Sequence, residues 1–244
     1  MAHAGLFWTQ IRSDFPLTEA QISLPSQIER FDGDQLFPQA PTVAFGSVDP
    51  DTARIWFLSE DQTRLIQVQP DRFIINWRKI TGEEVYPRYA SALRPRFERE
   101  FNDFQRFINT QGKEALNLQQ CEVTYVNDIP RGEGWNSLPE ATSLFSPWWG
   151  KYTDGFLPAP EAVNVAGSFV MPNQQGRLHF ATQNLRRTRD QREVVQLRLT
   201  ARGKPSGSDT ASVLAWMDIG REWIVRGFTD LTSSKGHALW KRTK

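Results

Sequence analysis

Cysteine is almost absent from this chain. Cys121 stands alone, so no intrachain disulfide can form and no cysteine-based zinc site can be assembled. That usage suits a reducing compartment. Histidine is scarce too: the three are His3, His179 and His237, and none has a second histidine or a carboxylate at metalloprotease spacing. The chain has no Walker loop and no nucleophile elbow. Its nearest approaches are Arg131-GEGW, which departs from the Rossmann spacing, and Ala166-Gly-Ser-Phe169, which lacks the elbow's flanking glycines. No apolar run approaches the roughly 20 residues needed to span a bilayer. The first residues, MAHAGLFWTQ, lack the basic segment and long apolar run of a signal peptide. A net charge of +1 argues against a generally basic nucleic-acid binder. The expectation is a soluble cytoplasmic protein that uses no cofactor or metal, does not enter the membrane, and is not an enzyme.

What is present is organisation. The run from Arg64 to Lys79, RLIQVQPDRFIINWRK, reads as a β-hairpin. Pro70 presets its own φ and Asp71 can bond its own backbone, which makes Pro70-Asp71 a tight turn. Across that turn Gln69 opposes Arg72, Val68 opposes Phe73 and Ile66 opposes Ile75. Alternation then puts Ile66, Val68, Phe73, Ile75 and Trp77 on one face, toward a core. Gln67, Gln69, Arg72, Asn76 and Arg78 fall on the other, toward water or a partner. A helix is predicted to begin with Pro87 at its first position. Leu93, Phe97, Phe101, Phe104, Phe107 and Ile108 recur at helical spacing and should lie on the hairpin's apolar face.

The second half repeats this order. Leu118–Ile129 reads as a strand, Leu138–Trp149 as a short helix interrupted at Pro147, and Ala162–Val170, Arg177–Leu185 and Glu193–Ala201 as strands. Asp209 is a good N-cap for a last long helix that buries Val213, Trp216, Met217, Trp223, Ile224, Phe228 and Leu231. In the first half a short helix at Leu6–Phe15 precedes strands at Arg54–Leu58, Arg64–Gln69 and Arg72–Lys79. The predicted fold is α+β, with halves at residues 1–115 and 116–244. Each half has a short helix, three strands and a long helix covering one face of an antiparallel sheet. The halves could also join into one curved sheet, as in helix-grip or saddle-like folds. The second half has a strand before its short helix that the first half lacks.

The runs LIQVQPDRFIINWRK, YPRY, EVTYVNDI and REWIVRGFTDLTSSKGHALW, in that order, resemble an uncharacterised, sporadically distributed bacterial family of about this length. The likeness covers most of the chain, from Leu6 to Trp240. It implies an accessory role, such as a bacterial defence or toxin–antitoxin component, with no established activity. Members of that family begin with a β-strand before the first helix, whereas here Met1 falls almost at the helix. The resemblance therefore implies a late translation start or a missing first strand. The latter would leave an open sheet edge to which a partner strand could add.

Two clusters stand out as candidate binding residues. Trp148 and Trp149, in Ser146-PWWG-Lys151, would anchor a protein partner or else plug a seam between the halves. Arg186, Arg187, Arg189 and Arg192 crowd a predicted hairpin tip, with Arg198, Arg202 and Lys204 beyond. They would clamp the phosphates of a nucleic acid or nucleotide, or else form a solvated tip partly compensated by Asp190 and Glu193. The leading functional expectation is a protein-interaction protein. A ligand-binding protein with an apolar pocket between sheet and long helix is the alternative. A nucleic-acid-binding module is the weaker third reading.

Overall fold

The computed structural model describes residues 2–31, 53–112, 116–146 and 161–240. The chain divides into two compact units, Met1–Asn117 and Leu118–Lys244. The fold is α+β, and the described strands form two antiparallel four-stranded sheets.

The first unit runs α1 (Ala2–Ile11), β1 (Leu17–Gln21), β2 (Arg54–Leu58), β3 (Arg64–Gln69), β4 (Arg72–Trp77) and α2 (Arg94–Thr110). Its strands follow one another in space, β1-β2-β3-β4. The hairpin register is the one its alternation predicts, with Gln69↔Arg72, Val68↔Phe73 and Ile66↔Ile75 paired. The core holds Phe7, Phe15, Phe57, Ile66, Phe104 and Phe107, with Phe73 and Ile75 packed against it. Phe104 is stacked on Phe73 at 4.6 Å and meets Phe7 edge-on at 5.3 Å. The phenylalanine stripe of α2 thus covers the apolar face of the sheet.

Three expectations for this unit change. A fourth strand, β1, joins the predicted three. Its sequence, LTEAQ, is almost entirely exposed and carries no apolar alternation. The short helix lies earlier than Leu6–Phe15, because the chain leaves it at Ile11, whose carbonyl accepts from the N–H groups of Asp14 and Phe15 at 3.0 Å. The long helix starts at Arg94 rather than at Pro87. Before it lies a π-helical turn, Tyr89–Leu93, in which the Leu93 N–H donates to the Arg88 carbonyl at 3.3 Å. Pro95 supplies the reason. It has no N–H and its ring crowds the carbonyl four residues back, so a widened turn relieves a clash that a regular helix would hold there.

The second unit runs β5 (Cys121–Pro130), α3 (Leu138–Thr142), β6 (Val165–Val170), β7 (Arg177–Arg186), β8 (Glu193–Gly203), α4 (Thr210–Leu231) and α5 (Ser234–Leu239). Here the order is β5-β8-β7-β6, so the first strand pairs with the last. Asp209 caps α4, accepting from the Ser212 N–H at 2.9 Å. The helix lies close on the sheet because glycine faces it. A Cβ on Gly227 would stand 2.5 Å from Leu178 Cδ2, and one on Gly220 would stand 3.4 Å from Ala201 Cβ. Val213, Leu214, Trp216, Gly220, Ile224 and Leu231 are the buried residues of α4, while Met217, Trp223 and Phe228 are half-buried. The units share a pattern: β2-β3-β4-α2 in one corresponds to β6-β7-β8-α4 in the other.

Candidate interaction edges and surface clusters

The hydrogen-bonding phase of each hairpin shows which backbone groups point out of the sheet. The Arg78 N–H donates to the Thr63 carbonyl at 2.9 Å. Since bonded and non-bonded pairs alternate along an antiparallel ladder, Arg72, Ile74 and Asn76 bond to β3. The N–H and C=O groups of Phe73, Ile75 and Trp77 therefore point away from β3, along the outer edge of β4. Among the described residues these outward groups have no hydrogen-bond partner. The same reasoning applies to β6. The Met171 N–H donates to the Gly176 carbonyl at 2.8 Å, so Val165, Gly167 and Phe169 bond to β7. Ala166, Ser168 and Val170 then direct their N–H and C=O groups outward, again without a partner among the described residues.

These two edges, open among the described residues, are not equivalent. The strand that leads into the long helix is β4 in the first unit and β8 in the second. The outer side of β8 carries β5, paired from Cys121↔Gly203 to Pro130↔Val194. No described strand occupies the corresponding place beside β4.

The polar face of the first sheet is more enclosed than alternation implies. Gln67 and Gln69, expected to face water or a partner, are each 7% exposed. Gln69 exchanges two hydrogen bonds with the backbone of Leu24, at 3.0 and 3.1 Å, and Arg72 donates to the Pro25 carbonyl at 3.1 Å. Gln67 accepts from Arg54 at 3.0 Å and donates to Asn76. Beside them the Trp56 ring has the guanidiniums of Arg54 and Arg78 at 5.4 and 5.5 Å. On α2, Arg96 and Glu100 form a buried ion pair at 2.8 Å. Burial holds the Glu100 carboxyl above its ordinary range despite the pull of Arg96.

The four candidate arginines do converge at the β7–β8 tip, each beside a carboxylate. Arg187 pairs with Asp190 at 2.5 Å, Arg189 lies 3.9 Å from Asp190, Arg186 3.3 Å from Glu193, and Arg192 3.4 Å from Glu133. Arg131 joins Glu193 at 2.7 Å, and Asp128 lies 3.7 Å from Arg187. Five guanidiniums thus face four carboxylates, Asp128, Glu133, Asp190 and Glu193. The hydrogen bond from Arg187 lowers Asp190 to about 2. The cluster is an ion-pair network with one guanidinium in excess, in which Arg131, Arg186 and Arg192 remain exposed.

Trp148 and Trp149 lie outside the described residues. The Arg131-GEGW segment is a tight turn: Gly132 and Gly134 both have φ of 91°, and the Gly132 N–H donates to the Trp135 carbonyl at 2.8 Å. Cys121 is buried, and desolvation pushes its thiol up to about 12. His237 shares a 2.7 Å hydrogen bond with Thr232, while His3 is exposed. Among the described residues no group of His, Cys, Asp and Glu could hold a metal ion, and no helix is long and apolar enough to cross a membrane.

No family model matches the chain, and no curated protein or solved structure is significantly similar to it. The candidate site therefore rests on geometry. The family resemblance implied a late translation start or a missing first strand, and only the second of these would leave an open edge. The edge is made of backbone groups, and finding it requires knowing that β5 pairs with β8.

Proposed function

We propose that this protein is a non-enzymatic interaction module that captures an extended segment of another protein along the outer edge of β4. The observation that carries the reading is the filled counterpart. In the second unit β5 supplies the strand beside β8, whereas in the first unit the N–H and C=O groups of Phe73, Ile75 and Trp77 have no partner among the described residues. Added strands gain affinity from main-chain hydrogen bonds, each worth about 0.5–1.5 kcal/mol net, and specificity from alternate side chains. The apolar-pocket reading has less support, because Phe7, Phe57, Ile66, Phe104 and Phe107 fill the space between the helices and the first sheet. The nucleic-acid reading has less support because carboxylates beside the tip arginines offset most of their charge. A setting in bacterial defence or a toxin–antitoxin pair comes from the family resemblance alone.

The test is Ile75→Pro. It removes an outward donor and sets a ring in the path of an added strand, while the β3-facing groups of Ile74 and Asn76 stay intact. Native mass spectrometry on the chain purified from its own host should show a stoichiometric protein partner that Ile75→Pro loses and Ile75→Ala retains, since the alanine variant gives up the same packing against the core but keeps the N–H. A bare wild-type chain, or a partner that the proline variant retains, would count against the proposal.

A further inference from the structure

Edge strands are ordinarily guarded by charge, proline or shortness. Among the described strands, β1 and β5 obey that rule: β1 is short and carries Glu19, and β5 presents Glu122, Asp128 and Pro130 along its outer side. The edge of β4, assigned above to a protein partner, carries charge only at its ends, in Arg72 and in Arg78 with Lys79. The fourth, β6, reads VAGSFV and has no charge and no proline. It also exposes two large apolar side chains, Phe169 at 48% and Val170 at 54%. An unguarded edge of this kind needs an occupant.

We infer that β6 pairs antiparallel with β6 of a second copy of this chain, about a two-fold axis at Ser168. The outward residues Ala166, Ser168 and Val170 are symmetric about Ser168. This register therefore sets Ser168 against Ser168 and Ala166 against Val170 of the second copy. Every outward N–H and C=O on both strands is then bonded. Side chains stay on matching faces, and each exposed apolar residue meets a small one: Val170 faces Ala166, and Phe169 faces Gly167. The Phe180 ring of β7 already lies over Gly167, 2.5 Å from where a Cβ would stand, and stacks on Phe169 of β6 in the same copy, so Phe169 of the second copy would extend this aromatic row. The two copies would share one sheet ordered β5-β8-β7-β6-β6-β7-β8-β5. The β4 edge does not suit this partner. Its equivalent axis, at Ile75, would set Arg72 directly against Arg78 of the second copy, and like charges in opposition are destabilising.

A six-residue strand pair falls in the weak class of interfaces, below roughly 1,200 Å², so association should depend on concentration. Sedimentation of the full chain should show the mass rising from 28.0 kDa toward twice that value as protein is concentrated. Ser168 is exposed, so Ser168→Lys and Ser168→Glu should fold as the wild type does. Each alone should stay at 28.0 kDa, because two like charges meet at the axis. An equimolar mixture should regain the doubled mass, which a merely damaged variant cannot do. A wild-type chain that remains monomeric up to roughly 1 mM, a range in which even weak complexes form, would overturn the inference. A dimer that persists in Ser168→Lys would overturn it too, as would two variants that fail to rescue each other.

Discussion

Replacing Phe104 by alanine tests how the first unit is held together. Phe104 is 9% exposed and joins the other two layers of the core, stacked on Phe73 of β4 and edge-on to Phe7 of α1. Losing its burial removes roughly 1.5–3 kcal/mol of transfer free energy. Each ring pair adds about 0.5–1.5 kcal/mol. Helix α2 and the sheet cannot close fully over the vacated space, so a cavity cost follows, and the total should be about 3–5 kcal/mol. Urea unfolding followed by tryptophan fluorescence would read the loss as a fall in midpoint at unchanged slope. In thermal unfolding the first unit should melt more than about 10 °C lower. Phe97 gives the control, because it is half-buried and stacks on Phe101 at 5.5 Å without reaching the six-residue core. Its alanine variant should lose clearly less. A cost below about 1 kcal/mol for Phe104→Ala, the level of an ordinary surface change, would refute this account of the core.

Arg96→Met should cost about 3–5 kcal/mol at pH 8, because it leaves the buried Glu100 carboxylate without its main countercharge. The folded pKa of Glu100 is already above its reference of 4.5 and should rise further in the variant. A raised carboxyl contributes stability below its unfolded pKa and loses it as pH rises through the folded value. The deficit should therefore shrink as pH falls from 8 toward 5, and a pH-independent deficit in urea midpoint would contradict the assignment. Gly203→Ala should cost about 1–3 kcal/mol, since its Cβ would stand 2.2 Å from the Gln175 carbonyl oxygen and 2.7 Å from the Trp216 ring; differential scanning calorimetry would read the loss. Changing Arg186, Arg187, Arg189 and Arg192 together to serine should not alter the anisotropy of a labelled single-stranded RNA at low salt. Salt-sensitive binding by the wild type alone would restore the nucleic-acid reading.

Local pattern carried much of the fold. In β3 and β4 the period-two alternation and the Pro70-Asp71 turn specify register without help from elsewhere, and the stripe of α2 specifies its buried face. The readings that changed depend on distant partners. The sequence LTEAQ forms β1 because β2 lies beside it, with Leu17↔Leu58 to Gln21↔Arg54 paired. Gln67 and Gln69 look like surface residues, yet they are buried because Leu24, Arg54 and Asn76 satisfy them. Around the arginines of the β7–β8 tip the sequence names Asp190 and Glu193, while Asp128 and Glu133 join them from β5 and the turn that follows it. The open edge of β4 was hardest to read, since it consists of hydrogen-bonding groups common to every residue. It becomes visible only against the β5–β8 pairing, whose strands stand far apart in the chain.

The most direct test of strand capture is residue-resolved amide exchange on β4, comparing the bare chain with the complex isolated from its own host. Capture predicts an alternating result. The Phe73, Ile75 and Trp77 amides should exchange freely in the bare chain and slow sharply in the complex, while Ile74 and Asn76, bonded to β3, should hardly change. Equal exchange of Phe73, Ile75 and Trp77 in the two samples would place any partner elsewhere and contradict the account.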